Sequence, residues 1–164
     1  MTSDSTQALI GRGRIAVAAD AAGRELKDRL AQHLREIGVD VADLGTNGSD
    51  PVHYPDFAET VGDAVVTGEC VAGILVCGTG IGMSIAANKI PGIRAALCHD
   101  TFGASKSRGH NDANVLALGA WDVTPERAQD IVDVWIRKGY DGGRHDARLE
   151  KLEALDQTRT VPAQ

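Results

Sequence analysis

Two rhythms of apolar and polar positions run along the chain. Short, nearly continuous apolar runs occur at "RIAVAA" (14–19), "AGILVC" (72–77), "IRAALC" (93–98) and "NVLALG" (114–119). Between them lie longer stretches whose apolar residues return every three or four positions, the period of an amphipathic helix. In "GRELKDRLAQHLREIG" (23–38), Leu26, Leu30, Leu34 and Ile37 fall on one stripe, and Gly38 is a stop signal. "VDVADLG" (39–45) alternates and reads as a second strand, followed by the loop "DPVHYP" and a helix over 56–68. A third helix opens at "GMSIAANKI" and closes at Pro91-Gly92, and a short one lies in "TFGASKSRGH" (101–110). The stretch 124–139 has Thr124 as N-cap and Pro125 at the first helical position, and a last helix covers 145–159. Five strands thus alternate with helices. Continuous apolar strands suit a parallel sheet covered on both faces. The expected fold is a single doubly wound α/β domain over residues 13–160, with a five-stranded parallel sheet. A flexible polar arm over 1–12 precedes it.

The 164 residues suit one domain able to bury a core without staples. Aromatic residues make up only 4%, so that core must be built from Val, Ile, Leu and Ala. A net charge of −6 without a long basic run argues against nucleic acid as the main partner. The three cysteines, Cys70, Cys77 and Cys98, form no CxxC pair, which disfavours a disulfide framework or zinc site. No cationic start with an apolar core opens the chain, and no long apolar run suggests a membrane span. A reducing cytoplasm is the expected compartment.

Ligands of doubly wound sheets bind beyond the carboxyl ends of the strands. Here those ends carry Asp20, Gly45, Cys77, His99 with Asp100, and Gly119. Cys77 is followed by Gly78-Thr79-Gly80-Ile81-Gly82, a turn into a helix. Its backbone N–H groups suit an anion and favour the anion of a neighbouring thiol. A thiolate beside such donors is a base with an oxyanion site. Taken alone, a cysteine at a strand end is most often a small apolar filler. The loop lacks dinucleotide spacing, since Met83 stands where a small residue belongs, and it lacks the Gly-Lys-Ser/Thr of a P-loop. "RGHNDAN" (108–114) places His110 and Asn111 just before the fifth strand. "DGGRHDARLE" (141–150) places Arg144 and Arg148 on one face at a helix start, which suits a phosphate. Asp20 orients a hydroxyl or caps the following helix. Taken together at the same rim, these groups are expected to fit proton shuttling beside the carbonyl of a small phosphorylated molecule. No spacing suggests a metal, and no cofactor is expected.

"CGTGIGMSIAANKIPGIRAALCHD", "HNDANVLALGA" and "GGRHDARLE" resemble the ribose-5-phosphate isomerase B and galactose-6-phosphate isomerase subunit family, from about residue 14 to residue 159. The resemblance implies a Rossmann-like sheet and a homodimer, sometimes paired into tetramers, with sites at the subunit interface. It implies an aldose–ketose isomerase working through an enediol. Cys77 then matches the proton-moving base, and the Gly78–Gly82 backbone, with Gly80 and Ile81, matches the enediolate donors. Thr79 and His110 match ring-opening groups, His110 from the partner subunit. Asp20 and Asn111 match hydroxyl contacts, and Arg144 and Arg148 match phosphate ligands. Two positions depart from the family pattern: Ala21 stands where histidine is usual and Trp121 where arginine is usual. Both usual side chains face the phosphate, and a hydrogen bond to a charged group is worth about 1.5–3 kcal/mol. "HDT" at His99-Asp100-Thr101 is similar to members acting on tetrose phosphates, so pentose and tetrose phosphates both stand as substrates. Lys106, Arg108 and Arg24 are candidates for compensating charge. A sugar-phosphate-binding module without turnover, or an epimerase on the same scaffold, are the alternatives.

Overall fold

Three-residue turns of helix and two-residue alternation of strand both find their partners in a computed structural model that describes residues 7–158. In chain order the elements are β1 (Ile15–Ala19), α1 (Arg24–Glu36), β2 (Val41–Asp43), α2 (Tyr54–Val66), β3 (Ala72–Cys77) and α3 (Ile81–Ala87). There follow β4 (Ala95–Leu97), α4 (Thr101–Asn111), β5 (Val115–Gly119), α5 (Pro125–Arg137), a 3-10 turn (Gly143–His145) and α6 (Asp146–Thr158). All five strands are parallel, in the order β2-β1-β3-β5-β4, so β2 and β4 are the edges.

The central strands are buried along their whole length, which explains why they read as continuous apolar runs. Successive side chains still point to opposite faces. Ile15, Val17, Ala19, Ile74 and Val76 pack with Leu26, Leu30 and Leu34 of α1 and with Ile131, Val132 and Trp135 of α5. Ala16, Ala18, Leu75, Cys77, Val115 and Ala117 pack with Ala58 and Val61 of α2 and Met83 and Ala87 of α3. Each buried leucine of the α1 stripe contributes about 1.5–3 kcal/mol. Thr124 caps α5, its hydroxyl accepting from the Arg127 N–H at 3.2 Å.

Several boundaries differ from the sequence pattern, β2 among them, which keeps only Val41–Asp43 of the expected 39–45. Helix α2 begins at Tyr54, ahead of the expected 56, because Pro55 sits in its first turn, where a missing N–H costs nothing. Strand β4 keeps only three residues of the expected 93–98, being an edge strand paired on one side. The sequence places a loose arm over 1–12. Residues 1–6 lie outside the described residues, while at 7–12 Leu9 is buried in the core and its N–H donates to the Ile136 carbonyl at 2.8 Å. The end of the last predicted helix, at 159, is likewise outside them.

Lys27 is fully buried on α1. Its ammonium reaches Asp43 at the end of β2 (2.9 Å), Asn47 (2.7 Å) and Asp28 (2.8 Å). Helix α6 buries Leu149 but leaves Leu152 and Leu155 about half exposed. A cavity of about 420 Å³ lies between it and the β4 edge, lined by Asn88, Ile93, Ala95, Leu152 and Leu155 among others. Among the described residues no helix is long and apolar enough to cross a membrane.

Candidate active site

Parallel strands place all their carboxyl ends at one rim, and β1, β3 and β5 bring Asp20, Cys77 and Gly119 there side by side. The Cys77 side chain is buried, and its Sγ accepts the Gly80 N–H at 3.1 Å. That contact needs a sharp turn. Gly80 has φ +76° and leads directly into α3, and a Cβ there would lie 2.8 Å from the Leu118 backbone. Thr79 is exposed, and its hydroxyl accepts the Ile81 N–H at 3.3 Å. The loop therefore presents a sulfur with a backbone donor already aimed at it and a hydroxyl at its crest. Asp20 Oδ1 accepts the Gly23 N–H at 2.9 Å, so Asp20 steadies the turn into α1 while its side chain stays at the rim.

The second group of predicted residues lies at the other end of the sheet. Helix α4 starts at the carboxyl rim with Asp100 as N-cap and runs back for eleven residues, about 16 Å. Its last two, His110 and Asn111, reach the amino ends of the strands. There Arg94 donates to the carbonyls of Asn111 (3.0 Å) and Asp112 (2.9 Å) and fixes the helix end. The 3-10 turn packs against the same place, the Asp141 N–H donating to the Gly109 carbonyl at 2.9 Å. This gathers His110, Arg144 and Arg148 around His145, with Asn111 next to His110 in the chain. Within one chain, then, the structure does not bring that cluster to Cys77. A residue just before a parallel strand belongs to the rim opposite one just after it.

His145 is the residue that pattern reading missed in this cluster. It stacks on His110 with ring centroids 4.3 Å apart and planes inclined by 17°. Its Nδ1 lies 3.5 Å from an Arg148 guanidinium nitrogen. Burial, then the neighbouring His110, Arg144 and Arg148, push its pKa down. The signal in sequence was its position between the two arginines. Tyr140 donates to Asp146 at 2.8 Å, anchoring the start of α6, and burial followed by this bond raises its pKa to about 12. Arg108 does not supply free charge: it is buried, donating to Asp112 (2.7 Å) and the Ala113 carbonyl (2.8 Å). Lys106 is exposed over the Phe102 ring. Among the described residues no group of three or more His, Cys, Asp or Glu side chains is placed to hold a metal ion.

Both the sequence and the fold have counterparts among known proteins. The family model described as Ribose/Galactose Isomerase matches residues 15–152. The chain belongs to the ribose/galactose isomerase family. Ribose-5-phosphate isomerase B of Escherichia coli (strain K12) is 49% identical over 146 residues, covering 89% of this chain and 98% of that protein. D-erythrulose-4-phosphate isomerase of Pectobacterium atrosepticum is 44% identical over 140 residues, covering 84% and 91%. The solved ribose-5-phosphate isomerase B of Clostridium thermocellum superposes with a TM-score of 0.87 at 48% identity, covering 88% of this chain and 97% of that one. As a member of the ribose/galactose isomerase family the chain is an enzyme, a sugar-phosphate aldose–ketose isomerase, with the family's Rossmann-like α/β fold.

Proposed function

We propose that this isomerase interconverts an aldose phosphate and a ketose phosphate of four or five carbons, in a site shared between two copies of the chain. The observation that carries the reading is the Gly80 N–H aimed at Cys77 Sγ at the start of the glycine loop. The thiolate takes the proton from C2 of the open-chain aldose. The electron pair passes into the carbonyl, giving an enediolate whose oxygens face the N–H groups of Gly78–Gly82. The same sulfur returns its proton to C1, and a proton moves from the C2 hydroxyl to the C1 oxygen. Thr79 and His110 assist ring opening, Asp20 and Asn111 hold hydroxyls, and Arg144 and Arg148 bind the phosphate.

His110, Asn111, Arg144 and Arg148 come from the partner in this reading. A two-fold pair sets the amino end of one chain against the carboxyl rim of the other, and makes two such sites. The half-exposed Leu152 and Leu155, the cavity beneath them and the one-sided edge β4 support a surface covered by a second copy. The reading extends to dimers of dimers. Three free, buried cysteines support action in the cytoplasm, and the net charge of −6 supports no role for nucleic acid.

Proton NMR in D₂O tests the function, with ribose 5-phosphate, allose 6-phosphate, erythrose 4-phosphate and erythrulose 4-phosphate in turn. Loss of the C1 or C2 proton with growth of the partner sugar is expected for a four- or five-carbon substrate. Silence across the panel would overturn the reading in favour of binding without turnover.

A further inference from the structure

Two aromatic rings lie on the first and last glycines of the thiol loop. A Cβ on Gly78 would stand 2.7–2.8 Å from the indole of Trp121, and one on Gly82 2.7–3.1 Å from the ring of Tyr54. Hydrogen alone fits at either position, so these glycines let the rings rest against the loop backbone. Trp121 is pinned from behind. Its N–H donates to the Gly78 carbonyl at 2.9 Å, the Ala120 N–H to the Cys77 carbonyl at 2.9 Å, and Asp122 pairs with His99. The residue is nevertheless 77% exposed. A lone exposed aromatic is ordinary on a protein surface. A ring seated on the residue that follows the catalytic thiol is not a random placement.

Trp121 also lines a hollow of about 280 Å³, together with Ala22, Glu25, Leu26, Arg29 and Ala120 among others. Trp121 thus touches both the thiol loop and a space large enough for further carbons of a sugar chain. We propose that Trp121 is the specificity-determining residue of the site. Its indole closes off the hollow, packs against the carbon chain and limits the substrate to four carbons. Erythrose 4-phosphate and erythrulose 4-phosphate are then preferred over ribose 5-phosphate. This inference rests on the isomerase reading above.

The test is kcat/KM for erythrulose 4-phosphate and ribose 5-phosphate in the wild type and in Trp121→Ala and Trp121→Phe. One carbon in a shaped pocket is worth at least about tenfold, so the wild type should favour the tetrose by that factor or more, and Trp121→Ala should cut the ratio about tenfold. Trp121→Phe should fall between. A wild-type preference for the pentose, or a ratio unchanged within about twofold in Trp121→Ala, overturns the proposal while leaving the isomerase reading intact. No turnover of either sugar overturns both. Fluorescence gives a readout apart from activity, because the other tryptophan, Trp135, is fully buried. Tetrose phosphate should quench the exposed indole, and Trp121→Phe should abolish that response. Quenching that persists in Trp121→Phe overturns the contact.

Discussion

A sulfur at a strand end becomes a base only through what surrounds it. Cys77 has the Gly80 N–H on its sulfur and an open, exposed crest at Thr79. Cys98 lies in the same fold but is inert, since burial pushes its pKa up to about 11 and it stays protonated at neutral pH. Cys77→Ser should therefore lower kcat by about 10²–10⁴, the usual worth of a positioned base, with substrate affinity by calorimetry nearly unchanged. Unchanged turnover would remove Cys77 from the chemistry. His145 adds a pH dependence. Its pKa is lowered in the folded chain, first by burial and then by His110 and the two arginines, while the unfolded chain keeps about 6.5. The unfolded state thus binds the proton more readily. The contribution to stability is complete above about 6.5 and is lost as pH falls below it toward the folded value. Urea midpoints at pH 5.5 and 7.5 should differ less in His145→Gln than in the wild type.

Elements were legible in sequence where burial was complete. The runs at 72–77 and 114–119 became central strands because every side chain there faces a helix layer. Edge β4 was overread, since apolar character at 93–98 reports burial and not ladder pairing. The carboxyl-rim residues Asp20, Cys77 and Gly119 were placed by strand order alone. The arginine-histidine cluster was legible as chemistry but not as location, because a position just before a parallel strand lands on the rim opposite the thiol. The Lys27 tie was also invisible, as a lysine on an amphipathic helix normally reads as solvent-facing. Lys27→Met breaks its ties to Asp43 and Asn47, which join α1 to β2 and the loop after it. Because the carboxylate of Asp43 is left partly exposed and still bonded to the Gly45 N–H, the substitution should cost about 1–3 kcal/mol in urea unfolding. A loss below about 1 kcal/mol would mean the pair acts like a surface bridge.

For the whole molecule, the separation of Cys77 from the arginine-histidine cluster makes a mixing experiment decisive for the proposed shared site. A Cys77→Ser chain and an Arg144→Ala chain should each be nearly inactive alone. In a mixed pair, one site holds both substitutions and the other holds neither. Random mixing should then restore about a quarter of wild-type activity per chain. No recovery would mean that each chain completes its own site. The same separation has a kinetic consequence. In the proposed shared site, a sugar phosphate held by arginines of one chain and the thiol loop of the other would act as a tether between them. Ligand at a hundred times its dissociation constant adds about 2.7 kcal/mol to whatever holds the pair together. A dilute, dissociated enzyme should therefore assemble on meeting its substrate. Its progress curves should begin with a lag that shortens as either protein or substrate is raised, so that the reaction carries a memory of the concentration from which it was started.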